Sequence, residues 1–267
     1  MRYPSGNSHL WALLAHPVGH VRAPAVMNPL VEKAGRDAFL VPFHVLPDDL
    51  EATVRQLVRI RNLRGFVVTM PHKATMARLS AELGPNAKLI GTTNTVRIEE
   101  DGRLVGEMFD GVGLVAAAKA NGLPPAGRRV LLLGAGGAAR AIAFGLAAEG
   151  VASLTIANRT VEKAEELAAV VSQHFPNVPV TAGPADATGQ DLVIQATSLG
   201  LAPGEALPLD PATFQAACGL FDIITARETE LMTAAKARGC RVVGGLPMIE
   251  HQALLQIEFL RPPHLPS

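Results

Sequence analysis

The chain has 267 residues, with 24 Lys+Arg against 24 Asp+Glu and 48% hydrophobic residues. That length suits one large domain or two small ones, and the composition is globular rather than disordered. A formal net charge of +0 lacks the basic bias of a dominant nucleic-acid or anionic-membrane role, and 4% aromatics are too few for broad base-stacking platforms.

Residues 10–15 (Leu-Trp-Ala-Leu-Leu-Ala) read as a buried strand ended by His16-Pro17-Val18-Gly19. Pro24 suits the first turn of a helix carrying Val26, Met27 and Leu30. Residues 39–43 are a second strand, and Pro47-Asp48-Asp49-Leu50 opens a helix with Leu50, Val54, Leu57 and Val58 on one face. Residues 65–69 are a third strand, and residues 96–98 and 104–105 form a hairpin across Asp101-Gly102. A helix at 112–119 and a turn at 124–127 lead into a series with strands at 129–133, 153–157, 191–195, 220–224 and 240–243. Helices at 138–148 and 161–171 lie within it, and 252–260 is a final helix. Strands alternating with helices predict an α/β fold with a parallel sheet covered on both faces. No apolar run reaches the ~18 residues of a membrane span, and the start of the chain has no long apolar h-region. These features predict a soluble, cytoplasmic protein. Cys218 and Cys240 cannot make a disulfide framework or a Cys-only zinc site and read as buried apolar thiols. His9, His44 and His174 lie in no ligand spacing, so they read as solvated or capping histidines, and no metal is expected.

Gly134-Ala135-Gly136-Gly137-Ala138-Ala139 fits G-x-G-x-x-G/A between a strand and a helix, the context in which that spacing binds a dinucleotide. Gly134 permits the tight turn, Gly136 admits the pyrophosphate to the backbone, and Ala139 allows close helix–strand packing. The helix N-terminus offers unpaired N–H groups and partial positive charge. The competing reading is a helix-packing turn, and placement in a βαβ unit weighs against it. NAD sites usually put Asp or Glu at the end of the next strand. Here that strand runs into Asn158-Arg159-Thr160, with Lys163 beyond, so Arg159 can fork onto a 2′-phosphate and the cofactor reads as NADP. The alternative is a helix cap at Thr160 beside a solvated arginine.

Four strings remain: Val68-Thr69-Met70-Pro71-His72-Lys73, Gly91-Thr92-Thr93-Asn94-Thr95, Asp110-Gly111-Val112-Gly113 and Gln195-Ala196-Thr197-Ser198-Leu199-Gly200. In this order around the glycine turn, from His20 to Gln252, the sequence resembles the shikimate dehydrogenase family. The resemblance implies two α/β domains. Residues 1–109 plus 245–267 would form a substrate-binding catalytic domain completed by the C-terminal helix, and 110–244 a Rossmann-type NADP-binding domain, with the active site in a cleft. It implies reversible, NADPH-dependent reduction of 3-dehydroshikimate, a step of aromatic amino acid biosynthesis by way of chorismate. The catalytic pair falls on Lys73 and Asp110. Thr69, Asn94 and Gln252 match substrate contacts, Thr197, Ser198 and Gly200 the loop beside the cofactor, and Gly245 and Met248 the nicotinamide end. The chemistry agrees: hydride arriving at a ketone builds charge on oxygen, which an ammonium can stabilise and protonate.

The departures from the family are local. Its two serines flanking a basic residue, which bind the substrate carboxylate, are Val21 and Ala23 around Arg22 here. Its Tyr near that carboxylate is Thr225, its Asn before the Val-Thr pair is Val67, and a late Gly is Pro247. Arg22, with Thr225, either takes over part of the carboxylate anchor or points to solvent. Two alternatives to a shikimate enzyme stand: a dehydrogenase of quinate or another cyclic hydroxy acid, and an NADP-binding regulatory module with a decayed substrate site. The expected partner is a small molecule, with no nucleic acid and no membrane, and the expected state a monomer or homodimer.

Overall fold

The computed structural model describes residues 3–19 and 21–261, so His20 lies outside the described residues. Strand β1 (His9–Ala15) explains the first half of the chain. Successive side chains of a strand point to opposite faces. Trp11, Leu13 and Ala15 join one apolar cluster with Met27, Val31 and Leu40, while Ala12 and Leu14 join another with Leu50, Val54, Phe66 and Met76. The first cluster packs helix α1 (Ala23–Lys33) beside strand β2 (Ala38–His44), and the second packs helix α2 (Leu50–Leu57) on strand β3 (Leu63–Val68). Helix α3 (Lys73–Leu79), strand β4 (Glu82–Leu83), helix α4 (Pro85–Ile90), strand β5 (Thr95–Ile98) and strand β6 (Leu104–Glu107) follow. The sheet order is β2-β1-β3-β5-β6-β4. Pairing is parallel from β2 to β3 and antiparallel at β3–β5 and β5–β6, with the expected hairpin turning at Gly102 (φ +84).

The second sheet follows helix α5 (Asp110–Ala120). Strand β7 (Arg129–Leu133), helix α6 (Gly137–Ala148), strand β8 (Ser153–Ala157), helix α7 (Val161–His174) and strand β9 (Val180–Ala182) make one half. Strand β10 (Leu192–Gln195), strand β11 (Gly219–Asp222), helix α8 (Glu230–Ala237) and strand β12 (Arg241–Val243) make the other. The order is β12-β11-β10-β7-β8-β9 and every pairing is parallel. This is the doubly wound arrangement, whose strand order reverses between β7 and β10, where such folds bind ligands. Gly111 of α5 and Gly145 of α6 meet backbone to backbone, with no room for a side chain at either, which sets α5 close on α6.

Helix α9 (Leu246–Phe259) is the last element. By contact density, one compact unit runs to Phe109 and resumes at Gln252; the other is Asp110–His251, so the change of unit falls inside α9. Ala253, Ile257 and Leu260 pack into the Trp11 cluster, and Arg36 and Arg97 donate to the carbonyls of Ile257 and Phe259.

Several sequence expectations need correction. Two sheets match the two α/β domains that the resemblance implied, but the first is mixed where alternating strands and helices predicted parallel pairing. Ile223 and Ile224 leave the strand, because the Asp222 carboxylate captures the Ile224 N–H. The final helix starts at Leu246 rather than 252, since Pro247 sits in its first turn, where a missing N–H costs nothing. Helices α3, α4 and α8 and strands β4 and β9 carried no expectation. For α8 a capping signal exists, as the Thr229 hydroxyl accepts the Met232 N–H.

Candidate active site

In the Asp110–His251 unit, Gly134 leaves β7 with φ +113, a conformation L side chains rarely adopt. A Cβ there would lie 2.8 Å from the Ala196 carbonyl, and the Gly134 N–H donates to Ala157 at 2.7 Å. The turn is thus wedged between the ends of β8 and β10. Ala135 is half-buried, Gly136 is the extended, exposed N-cap of α6, and Gly137 and Ala138 open the helix. Nothing lies within 4 Å of a Cβ built on Gly136, whereas Ala139 is fully buried. The first N–H groups of a helix have no intrahelical partner, and here they open beside exposed backbone. This arrangement fits a dinucleotide pyrophosphate.

After β8, the Asn158 amide donates to the Thr160 carbonyl at 2.8 Å, and Arg159, Thr160 and Lys163 are exposed. Thr160 holds the N-cap position of α7 without a side-chain cap bond, so capping does not account for its hydroxyl. The loop after β10 is built on Gln195, which is fully buried. Its Oε1 accepts the Thr197 N–H at 2.8 Å and its Nε2 donates to the Leu199 carbonyl at 2.7 Å. The Thr197 hydroxyl accepts the Leu199 N–H, and Ser198 is exposed. Gly200 (φ +100) donates its N–H to the Glu205 carboxylate, and its carbonyl accepts from Arg227. Thr225 and Gly245 line one cavity of about 320 Å³ with Arg227, Lys236 and Pro247. Met248 is buried, and its N–H donates to the Gly245 carbonyl at 3.1 Å. Asp110, at the start of α5, is buried in this unit.

In the other unit, Thr69 follows β3; its N–H donates to Leu14 at 3.1 Å and its carbonyl accepts the His72 N–H at 3.0 Å. The buried His72 ring donates from Nε2 to the Val45 carbonyl at 2.9 Å, and desolvation lowers its pKa below the ordinary value. Lys73 opens α3, half-buried, and its carbonyl accepts the Thr93 N–H at 3.2 Å. Asn94 is buried; its Oδ1 accepts from the Phe109 N–H and the Thr95 hydroxyl, and its carbonyl accepts the Val68 N–H. Thr69, Lys73 and Asn94 are therefore brought together at the carboxyl end of β3. Gln252 is buried on α9 within this unit. Arg22 is exposed at the N-cap position of α1 and makes no side-chain cap bond, while Val21 and Ala23 pack against the Trp11 cluster.

His44 is not a lone solvated histidine: its Nε2 lies 2.9 Å from the Nδ1 of His16, and the rings stack. His174 bonds the Val170 carbonyl and packs edge-on to Phe144. Cys218 and Cys240 are free and buried, and burial pushes the Cys218 thiol up to about 12. Among the described residues no three His, Cys, Asp or Glu side chains gather as a metal site, and no helix is long and apolar enough to cross a membrane. Sequence reading passed over Asp222, whose carboxylate is fully buried and raised by that burial to about 6. The available signal was a polar residue ending an apolar strand, and Gln195 shows the same pattern.

Known proteins resemble the chain over most of its length. The family model of the shikimate dehydrogenase substrate binding domain matches residues 13–96, and that of shikimate/quinate 5-dehydrogenase matches residues 116–202. A shikimate dehydrogenase (NADP(+)) of Moorella thermoacetica is 39% identical over 254 residues, 92% of this chain and 85% of that protein. The Thermus thermophilus shikimate 5-dehydrogenase, solved with NADP(H) and shikimate, is 30% identical, with a TM-score of 0.86 over 97% of this chain and 95% of that one. A 5-ketofructose reductase from a Gluconobacter strain is 32% identical, with a TM-score of 0.84 over 96% and 94%.

Proposed function

The chain belongs to the shikimate dehydrogenase family, and on that premise we propose that it reversibly reduces 3-dehydroshikimate to shikimate with NADPH in the cytoplasm. NADPH, when bound, supplies the hydride. The observation that carries the reading is the left-handed, sterically enclosed turn at Gly134, which leads into the open backbone of Gly136 at the point where strand order reverses. Gly134, Ala135, Gly136, Gly137 and Ala138 hold the pyrophosphate by backbone. Arg159 and Lys163 receive the 2′-phosphate beside Asn158 and Thr160. Thr197, Ser198, Gly200, Gly245 and Met248 serve the nicotinamide end. Lys73 stabilises the developing alkoxide and donates the proton, and Asp110 is its partner carboxylate. Thr69, Asn94 and Gln252 hold substrate hydroxyls.

A second reading is favoured by the packing of Val21 and Ala23 against an apolar cluster, where neither offers a side-chain donor. A carboxylate taken from water needs donors or positive charge. Either Arg22 with Thr225 supplies them, or the substrate is an uncharged polyhydroxy ketone, such as the 5-ketofructose in the name of the Gluconobacter relative. The deciding experiment compares initial rates with NADPH on 3-dehydroshikimate and on 5-ketofructose, and with NADP on shikimate and on quinate. Under the first reading 3-dehydroshikimate and shikimate turn over, Arg22→Ala raises KM for shikimate, and Val21→Ser with Ala23→Ser lowers it. Turnover of the keto sugar alone establishes the second reading, turnover of quinate alone a quinate enzyme, and silence throughout a binding module.

A further inference from the structure

Asp222 ends β11 in surroundings where a carboxylate is costly, directly after the fully buried Leu220 and Phe221. Two donors compensate it. The Ile224 N–H reaches Oδ1 at 3.0 Å, and the Thr229 hydroxyl reaches Oδ2 at 2.7 Å. The same hydroxyl accepts the Met232 N–H at 3.2 Å, so its oxygen is occupied by α8 and its proton is left for Asp222. The peptides between these anchors are held in turn. The Ile223 N–H donates to the Gln195 carbonyl at 3.1 Å, and the Ile224 carbonyl accepts the Gly245 N–H at 3.1 Å. Gly245 lies so close to the Ile223 carbonyl that no side chain would fit. On the other side, a Cβ on Gly200 would meet the Thr229 methyl at 2.9 Å. The loop after β10, the loop after β11 and the approach to α9 thus converge on one buried carboxylate and one hydroxyl. All three lie beyond the carboxyl ends of parallel strands, the edge at which such sheets bind ligands.

We propose that Asp222 and Thr229 form a positioning pair that fixes Thr225 on the substrate side and Gly200 and Gly245 at the nicotinamide end of the site, without itself touching cofactor or substrate. This rests on the NADP-dependent reading above. A displacement of about 1 Å at a reacting centre can cost on the order of 10²-fold in rate. The pyrophosphate turn and Arg159 belong to other loops, so the phosphate contacts that carry most of the cofactor's affinity lie outside the pair.

The test uses the full chain with Asp222→Ala, Asp222→Asn, Thr229→Val and Thr229→Ser. NADPH binding is titrated by nicotinamide fluorescence, and kcat is measured with the carbonyl substrate that the wild type reduces. Asp222→Ala and Thr229→Val should keep the NADPH Kd within about threefold, lower kcat roughly tenfold or more, and change the emission of the bound nicotinamide. Asn retains an acceptor for the Ile224 N–H, and its amide N–H can donate to the second lone pair of the Thr229 hydroxyl, whose first accepts the Met232 N–H; Ser retains the hydroxyl. Both conservative variants should restore rate and emission. If Asp222→Ala does not fold, Thr229→Val carries the same readout. A lowered Tm with unchanged kcat and emission makes the pair merely structural and overturns the proposal, as does a loss of Kd that parallels kcat. Emission needs only the cofactor: a wild type that binds NADPH yet reduces no offered ketone refutes the substrate reading, while the emission shift still decides this one. A wild type that binds no NADPH removes both.

Discussion

At the ends of β7 and β10, residues 134–138 offer backbone: three glycines, two alanines and the start of a helix. At the ends of β1 and β3, residues 16, 69 and 73 offer an imidazole, a hydroxyl and an ammonium, while the His72 ring is turned inward onto Val45. A pyrophosphate can be held by N–H groups that any sequence has, provided side chains stay away. A ketone being reduced needs a group that carries a mobile proton, and only a side chain supplies one. The two halves should therefore fail differently. Damage to the side-chain half should remove turnover and leave cofactor binding. Damage to the backbone half should weaken binding first.

The largest expected effect is Lys73→Met, which keeps much of the volume and removes the ammonium. Loss of a positioned acid–base group costs about 10²–10⁴-fold, here in kcat with the NADPH Kd unchanged. Asp110→Asn should also be damaging and non-additive with it, because groups acting as one unit do not contribute independently. Stopped-flow turnover with parallel NADPH titration separates the two quantities. Near-wild-type kcat in Lys73→Met would break the comparison at its catalytic end.

Next is Arg159→Ala. A hydrogen bond to a charged group is worth roughly 1.5–3 kcal/mol, so the Kd for NADP should rise about tenfold to a hundredfold. The Kd for NAD, which lacks the 2′-phosphate, should stay put. Equal weakening of both would make Arg159 structural. Gly134→Ala sharpens the contrast. Its φ of +113 and the Ala196 carbonyl penalise any side chain, so both cofactors should weaken together. Calorimetric titration checks both variants.

How much of this was legible depends on what each half is made of. Glycine spacing is a direct signature of backbone that must turn and be approached closely, and Gly134 and Gly136 were readable from sequence for that reason. Lys73 was not readable from pattern, since a lysine after a turn is usually solvated; only the resemblance singled it out. Asp222 was missed because its role comes from Thr229 and Ile224, which the fold brings to it. Residues 223–224 read as strand in the sequence because two isoleucines look apolar in either setting, whereas β11 ends at Asp222. The helix at 246–251 was hidden behind Gly244-Gly245-Leu246-Pro247, which reads as a loop.

The smallest effect concerns stability and joins the two kinds of site, since Asp222 is a side chain that holds backbone. Burial raises its carboxyl from 3.8 to about 6. A raised carboxyl means the native state holds the proton more tightly than the unfolded one. Stability from this group is therefore greatest below the unfolded pKa, falls as pH rises from about 4 to about 6, and is level above. Asp222→Asn removes that dependence. It should raise Tm at pH 8 by more than at pH 5, the two gains in stability differing by about 1.4 kcal/mol at most. Thermal melts at the two pH values decide it, and a larger gain at the acidic pH would reverse the sign.

The central claim is that a backbone cradle, with Arg159 selecting the 2′-phosphate, would hold NADPH as the hydride source, and that Lys73 protonates the oxygen of the ketone being reduced. It is tested most directly by kcat/KM of the wild type for NADP and for NAD with shikimate as substrate, followed by nicotinamide absorbance. The account predicts turnover with NADP preferred by about tenfold or more. No oxidation of shikimate with either cofactor, or a preference for NAD, would contradict it.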